Sequence, residues 1–260
     1  MNQPIPHNHV AIIGTGFGAL ATAVRLHQSG IDDVALIEHP DDEVTALHWQ
    51  VNRQRWHITT ANGERTAAHV VVDSDAPAEP VIRTARRITP RHVRAISRLQ
   101  RVLRNLRIPL SDRHFPADNQ DTGSETRQSP LTGRLFGAEG ISMAESWHGE
   151  PVAYLGTSVH GFPNCYLIHG PNISVRHNSM EQLLESQANY IAASVTYARD
   201  FGFAAVEPTP AAQQNYTSIW QSSSADFRRR TSRFVPVDHL VQRPGRELVS
   251  AAVRPATESC

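Results

Sequence analysis

Glycines near the start of the chain have a spacing that suits the binding of a phosphorylated ligand. Gly14, Gly16 and Gly18 follow a short apolar run, and Ala19 stands where a G-x-G-x-x-G pattern has its last glycine. Gly14 permits a tight turn, Gly16 lets the backbone approach a pyrophosphate, and Ala19 is small enough for a helix to pack on a strand. A helix that begins here offers free N–H groups and the positive end of its dipole to the phosphates. The pattern predicts a dinucleotide-binding turn made of Gly14, Gly16, Phe17, Gly18 and Ala19.

An acid at the end of the next apolar run adds to this pattern. Glu38 comes 24 residues after Gly14, close to the spacing of about 20 at which an acid bonds the ribose hydroxyls. An acid at this position favours an unphosphorylated ribose, as in FAD or NAD, over NADP. A glycine-rich turn in an ordinary α/β protein that binds no dinucleotide is the alternative.

The elements that must position these residues are a strand, a helix and a second strand. Residues 10–13 and 34–37 are apolar runs of the kind found in buried parallel strands. Residues 47–72 change to an alternating pattern, in which Asn62-Gly63 is a strong hairpin signal. We therefore expect a short antiparallel meander after the second strand. Further short strands are predicted at 151–156 and 165–169.

Two longer segments have the pattern of helices. Residues 89–107 begin with Thr89 as the N-cap and Pro90 at the first helical position, and their apolar residues form one stripe. Arginines cover the other faces of this helix, where they either bind an anionic partner or form a solvated outer surface. The neutral total charge favours the solvated surface. Residues 179–200 form the second predicted helix, with a capping box that begins at Ser179.

Composition limits the remaining function classes. The 260 residues include 25 Lys or Arg and 25 Asp or Glu side chains, so the formal net charge is zero. This balance argues against a general nucleic-acid or membrane binder. No apolar stretch is long enough to span a bilayer and the first residues lack a signal-peptide pattern, so we expect a cytoplasmic protein. The histidines match no zinc spacing, and no metal site is predicted.

Several clusters in the second half of the chain, together with the glycine turn, resemble those of Baeyer–Villiger monooxygenases, which are related to the flavin-containing monooxygenases. The clusters are Trp147-His148-Gly149-Glu150-Pro151, Tyr154-Leu155-Gly156, Gly161-Phe162-Pro163-Asn164, Gly170-Pro171-Asn172, and Ser179 with Glu185-Ser186-Gln187-Ala188-Asn189-Tyr190-Ile191. The resemblance covers residues 9–38 and 135–216 and, more loosely, 47–72. The clusters between 147 and 191 are the specific part, because they keep the family's order and spacing.

The resemblance implies an α/β flavoprotein whose Rossmann-like FAD-binding domain has three layers, a mostly parallel sheet and a small antiparallel meander. In the family a second dinucleotide domain binds NADPH, and the reduced flavin reacts with dioxygen to oxygenate a ketone, a nitrogen or a sulfur. The flavin carries this chemistry, while the protein orients and protects it. By resemblance, Asn172, Ser174 and Ser179 are candidate flavin-side contacts; turn-forming and capping roles are the alternative. The resemblance assigns no catalytic residue in this chain.

The chain also departs from the family. The segments that line the flavin after the ribose-binding acid have no counterpart, since Glu38 leads almost directly into the meander. The family's second glycine motif, which binds NADPH, has no counterpart either. Asp73-Ser74-Asp75 stands where the family has Ala-Thr-Gly, and acids at this place would repel a phosphate or crowd the cofactor. The chain therefore resembles a family member from which the flavin-lining segment and the NADPH domain are deleted.

Four regions are predicted along the chain. Residues 1–110 form the N-terminal part of the FAD-binding domain with the meander and the basic helix, and residues 111–134 form a polar linker. Residues 135–216 form the C-terminal part of the domain, and residues 217–260 form a loosely packed tail.

Two functions from different classes fit these features. The first is a truncated FAD-dependent oxidoreductase that acts on a small-molecule substrate, with weak catalysis or a need for an external reductant, which is either a partner reductase or free reduced nicotinamide. The second is a non-catalytic relic that serves as a binding or scaffold module. Neither function is expected to involve a nucleic acid or a membrane span, and both are compatible with a homo-oligomer.

Overall fold

A computed structural model describes six stretches of the chain. Several predictions fall outside these stretches: the helix at 89–107, most of the linker 111–134, and the site residues Glu38, Ser174 and Ser179. The described residues are 5–14, 16–37, 43–73, 130–172, 180–222 and 248–250.

The first three elements form the parallel unit that the sequence predicts. They are strand β1 at His7–Ile13, helix α1 at Phe17–Gln28 and strand β2 at Val34–Ile37. The two strands are parallel neighbours, and Ile13 lies opposite Ile37. Parallel neighbours cannot be joined by a tight hairpin, so α1 serves as the crossover between them. The unit therefore places the glycine turn at the carboxyl end of β1, directly before the helix.

The predicted meander is present and is continuous with the parallel sheet. Its strands are β3 at Val44–Gln50, β4 at Arg55–Thr60 and β5 at Gly63–Asp73. The Asn62-Gly63 signal is confirmed, since β4 turns into β5 at this point and Gly63 has a φ of +144°. The first half of β5 pairs with β4, and its second half leaves the meander to lie between parallel neighbours. One 11-residue strand thus joins the two parts of the sheet.

The parallel part of the sheet has the strand order β2-β1-β5-β7, in which β7 is Cys165–Ile168. The predicted strand at 165–169 is therefore confirmed. On the meander side the sheet continues from β5 through β4 and β3 to the two-residue strand β6 at Leu135–Phe136. This arrangement confirms the predicted α/β class with a mostly parallel sheet and a small antiparallel meander.

Further elements complete the described fold. They are a 3₁₀ helix at Pro130–Arg134, helix α2 at Met143–Ser146, helix α3 at Met180–Phe201, strand β8 at Val206–Pro208, helix α4 at Pro210–Ser222 and strand β9 at Leu248–Ser250. Helix α3 confirms the prediction at 179–200, whereas α4 and the antiparallel pair β8–β9 were not predicted. None of the helices in the described stretches combines the length and the hydropathy needed to cross a membrane.

Two hydrophobic clusters lie on opposite faces of the sheet, because successive side chains of a strand point to opposite sides. Ile12 of β1 packs in the cluster formed with α1 and α3, whereas Ile13 packs in the other cluster. That second cluster also contains Trp56 of the meander and Trp147 after α2. The segment from β6 to β7 therefore covers the face of the sheet that α1 and α3 leave open.

The predicted strand at 151–156 is wrong. Tyr154 makes only an isolated bridge to Ser158, and Leu155 and Gly156 have φ values of +52° and +60°. A strand cannot continue through two successive residues with positive φ. The apolar composition that suggested a strand reflects burial, since Ala153 is fully buried and Leu155 is only 6% exposed.

Candidate functional site

The candidate site lies at the carboxyl edge of the parallel strands, where open α/β sheets bind their ligands. The register of the sheet pairs Ile13 of β1 with Val72 of β5, and Asp73 of β5 with Ile168 of β7. Gly14 follows Ile13, and the site therefore brings together the glycine turn, the last residue of β5 and the residue that follows β7.

The glycine turn has the tight backbone that the motif predicts. Gly14 has a φ of +110° and donates its N–H to the carbonyl of Ile37, which ties the turn to the end of β2. Gly16 is the N-cap residue of α1, and no side chain of the described residues caps the helix there. A methyl group on Gly18 would overlap Ile168 of β7 and lie 3.1 Å from Leu184 of α3. The absence of a side chain at position 18 therefore allows α1 to pack closely on β7 and on α3.

The other two predicted residues of the turn, Ala19 and Phe17, lie in the first turn of α1. Ala19 is fully buried in the first turn of α1, where a larger side chain would separate the helix from the sheet. Phe17 is the first residue of α1, and the structure describes its backbone only. The glycines of the turn therefore face the end of β5.

The end of β5 places an acid directly against the turn. Asp73 is 1% exposed. A methyl group on Gly14 would lie 2.8 Å from the Cβ of Asp73, and one on Gly16 would overlap its Oδ2. The carboxylate of Asp73 therefore fills the space beside Gly16 into which a pyrophosphate would have to come. The sequence pattern marked Asp73 as a departure but not as a site residue; its position as the last residue of an apolar strand was the available signal.

A histidine from the neighbouring strand completes this edge. His169 follows β7 with a φ of +56°, and its Nδ1 lies 3.9 Å from Oδ1 of Asp73. Gln187 of α3, which is fully buried, accepts a hydrogen bond from the His169 N–H at 3.3 Å. The Nε2 of Gln187 donates to the carbonyl of Gly156 and to Oγ1 of Thr157, both at 3.1 Å. One buried amide therefore positions the residue that follows β7.

The predicted flavin-side residue Asn172 forms structural hydrogen bonds. Its Oδ1 accepts the N–H of Ala153 at 2.9 Å, and its Nδ2 donates to the carbonyl of Pro151 at 3.4 Å. The carbonyl of Asn172 accepts the hydroxyl of Tyr216 at 3.1 Å. With a φ of +63°, Asn172 adopts the left-handed conformation that asparagine tolerates well in turns. These bonds tie together the loop after β7, the 151–153 segment and α4.

Asn164 of the Gly161-Phe162-Pro163-Asn164 cluster also has a structural role. It is fully buried with a φ of +55°. Its Nδ2 donates to the carbonyls of Ala68 and Ala204, each at 2.9 Å, and its Oδ1 accepts the N–H of Val206 at 2.8 Å. This side chain therefore connects β5, the entry to β7 and β8 beneath the candidate site.

The remaining titratable side chains in the described stretches form no metal site, since no group of three His, Cys, Asp or Glu residues has the arrangement to hold an ion. Burial raises the pKa of the Cys165 thiol, which keeps it protonated and unreactive. Burial also lowers the pKa of His69 to about 3, so its ring is neutral in the folded protein. These groups belong to the core and not to the carboxyl edge.

The turn can be tested for its fit to the FAD that the resemblance implies. Its backbone suits a diphosphate, because Gly14 and Gly16 present no side chain and α1 begins without a side-chain cap. Asp73 does not suit a diphosphate, because its carboxylate takes the adjoining space and has the same sign of charge. The glycine backbone of the turn would therefore fit the diphosphate of FAD, whereas the side chain of Asp73 would oppose it.

Comparisons with known proteins agree with the sequence clusters. No protein-family model matches the chain. A Baeyer–Villiger monooxygenase of Streptomyces coelicolor is 31% identical over 163 residues, which are 50% of this chain and 31% of that protein. A Baeyer–Villiger monooxygenase of Pseudomonas aeruginosa is 34% identical over 97 residues, which are 37% of this chain and 18% of that protein. The matched part is thus less than a third of the length of each relative.

Solved structures show the same fold. The open crystal structure of cyclohexanone monooxygenase aligns with a TM-score of 0.58 at 12% identity, covering 95% of this chain and 100% of that chain. The FAD-bound crystal structure of OTEMO aligns with a TM-score of 0.58 at 13% identity, covering 87% of this chain and 90% of that chain. The chain is therefore a relative of the Baeyer–Villiger monooxygenases over about half of its sequence, and it has the Rossmann-like fold of these flavin monooxygenases.

Proposed function

We propose that the chain is a truncated FAD-binding oxidoreductase derived from the flavin monooxygenases. The observation that carries the proposal is the glycine turn between β1 and α1, with Gly14 at a φ of +110° and α1 packed closely on β7 through Gly18. The names of relatives support the cofactor, since one match is the FAD-binding monooxygenase ktnD of Aspergillus niger.

The proposed residue roles follow the two halves of the cofactor. The turn residues would hold the adenine half: Gly14 and Gly16 through their backbone at the diphosphate, and Phe17, Gly18 and Ala19 by forming the start of α1. Glu38 would accept hydrogen bonds from the ribose hydroxyls. Asn172, Ser174 and Ser179 would border the flavin half, with Asn172 acting through the loop that its side chain holds in place.

The proposed electron source lies outside the chain. FAD, when bound, would supply the redox chemistry, and the chain would contribute binding and orientation. The sequence has no counterpart of the family's second glycine motif, so we propose that an external reductase delivers electrons to the flavin. The substrate class is a small molecule that reduced flavin and dioxygen can oxygenate.

The first test is an absorption spectrum of the purified full chain after incubation with FAD and gel filtration, with the released cofactor identified by chromatography. We expect FAD to be retained by a fraction of the protein. Glu38→Ala should weaken binding in equilibrium dialysis by about tenfold, the value of a charge-assisted hydrogen bond. Glu43→Ala is the matched control: Glu43 pairs with Arg134 in an exposed ion pair and should leave binding unchanged.

A second assay tests the electron source. Oxygen uptake should stay at background with NADPH alone and rise when a separate flavin reductase is added. Steady NADPH-driven uptake by the chain alone would contradict the proposed truncation. If neither the wild-type chain nor any of its variants, including those at Asp73, binds FAD, a non-catalytic role is favoured.

A further inference from the structure

The candidate site contains its own anion. Asp73 is 1% exposed although it is an acid at the end of a strand, and its Oδ2 would be overlapped by a methyl group on Gly16. The same side chain contacts Gly14, since a methyl group there would lie 2.8 Å from its Cβ. The carboxylate therefore packs against both glycines whose missing side chains form the turn.

The surroundings of this carboxylate favour its position. The N-terminus of α1 has no side-chain cap at Gly16, and its positive dipole end attracts a negative group. The Nδ1 of His169 lies 3.9 Å from Oδ1 of Asp73. A side chain of the chain itself thus takes the place that this fold normally offers to a phosphate.

We propose that the Asp73 carboxylate competes with the diphosphate of the dinucleotide for the Gly14–Gly16 turn, so that the cofactor binds only after this side chain has left it. The inference rests on the proposed function and adds a built-in, self-inhibiting contact to the same site. Both the volume and the charge of Asp73 act against the ligand. Two negative groups about 4 Å apart near a protein surface repel each other strongly enough to weaken binding more than tenfold.

Two variants separate the contributions of charge and volume. Asp73→Asn keeps the size of the side chain and removes its charge, whereas Asp73→Ala removes both. Asp200→Asn is the matched control, because Asp200 is an exposed acid near the C-terminal end of α3. Its partner Arg199 donates to the carbonyl of Ser29, so Asp200 lies close to the C-terminal end of α1. That end of α1 is remote from the glycine turn, so the control changes the net charge equally without touching the site.

The probes are FAD, ADP and adenosine, and the readout is the dissociation constant from equilibrium dialysis or calorimetry. We expect Asp73→Asn to tighten FAD and ADP binding by about tenfold or more, and Asp73→Ala to tighten it at least as much. Adenosine has no diphosphate, so its affinity should change by less than about threefold in Asp73→Asn. Asp200→Asn should match the wild-type chain for all three probes.

The outcomes distinguish this inference from the proposed function. If the wild-type chain and Asp73→Asn bind FAD equally well, the competition is refuted while the cofactor assignment stands. If adenosine gains as much as ADP, the effect of Asp73 does not act on the diphosphate and the inference is also refuted. If none of the variants binds FAD or ADP while all of them melt cooperatively, both the inference and the proposed function fail.

Discussion

The side chain of Gln187 accepts a hydrogen bond from the backbone N–H of His169 across the boundary between α3 and the end of β7, with the two atoms 3.3 Å apart. The other end of the same amide donates to Gly156 and Thr157. Gln187 is fully buried, and so are its bonds to Gly156 and Thr157, so removal of the amide would cost the Gly156 carbonyl and the Thr157 hydroxyl one buried hydrogen bond each. The position of His169 at the edge of the candidate site therefore depends on Gln187 of α3.

Replacing Gln187 tests this dependence. Gln187→Leu should lower the free energy of unfolding by about 2–4 kcal/mol, because it removes two buried hydrogen bonds and one partly buried hydrogen bond. Gln28→Leu is the control: Gln28 is exposed and its side chain bonds only Arg25 among the described residues, so a change within about 0.5 kcal/mol is expected. Urea denaturation measures both values, and an equal effect of the two substitutions would contradict the role given to Gln187.

The contact between Gly16 and Asp73 predicts an energetic coupling. Gly16→Ala should destabilise the fold by about 1–3 kcal/mol, because the added methyl group overlaps a buried carboxylate. In the Asp73→Ala background the same substitution should cost at least about 1 kcal/mol less. Gly133→Ala is a suitable control, since nothing lies within 4 Å of a methyl group at that position. Strict additivity in the double-mutant cycle would show that the two residues are not in contact.

The buried side chain of Asn164 predicts two separable penalties. Asn164→Ala should cost about 3 kcal/mol or more, because it removes three hydrogen bonds and leaves alanine at a φ of +55°. Asn164→Gly removes the same bonds but tolerates the positive φ, so it should be about 1 kcal/mol more stable than the alanine variant. Thermal unfolding compares them. If the alanine variant were the more stable, backbone conformation would not contribute at this position.

The buried ring of His69, which lies next to the partly buried His9, predicts an acid-dependent loss of stability. Burial, reinforced by the proximity of His9, lowers the pKa of His69 from 6.5 to about 3. Burial lowers the pKa of His9 as well. Below pH 6.5 the unfolded chain therefore binds protons that the folded chain does not. His69 alone should reduce stability by about 1.4 kcal/mol per pH unit as the pH falls from 6.5 towards 3, and it should have no effect above pH 7.5.

Denaturation in urea between pH 7.5 and 4.5 tests this titration. His69→Phe keeps a ring in the core and removes the titrating group, so its stability should fall less steeply with decreasing pH, whatever its absolute value. His148→Gln changes an exposed histidine and should keep the wild-type slope. A wild-type slope in the His69 variant would place the acid sensitivity in other groups.

Much of the fold follows from local patterns. The apolar runs and the glycine turn predicted β1, α1 and β2, and the alternation around Asn62-Gly63 predicted the meander. The strand predicted at 151–156 is absent, because the apolar residues of this segment are buried in a tight turn. Helix α4 was not predicted from the sequence. It is anchored by Tyr216, which donates to the Asn172 carbonyl and lies edge-on to Tyr154.

The sequence by itself determined the nucleotide-type turn and the resemblance to flavin monooxygenases, since both depend on residue types at short, fixed spacings. The roles of Asn164 and Asn172 were decided only by the tertiary structure, because their partners come from distant parts of the chain. The role of Asp73 was also decided only by the tertiary structure. The parallel register of β1, β5 and β7 brings its carboxylate against Gly14 and Gly16 and next to His169. Strand register depends on which faces of the strands are buried, and these three strands lie far apart in the sequence.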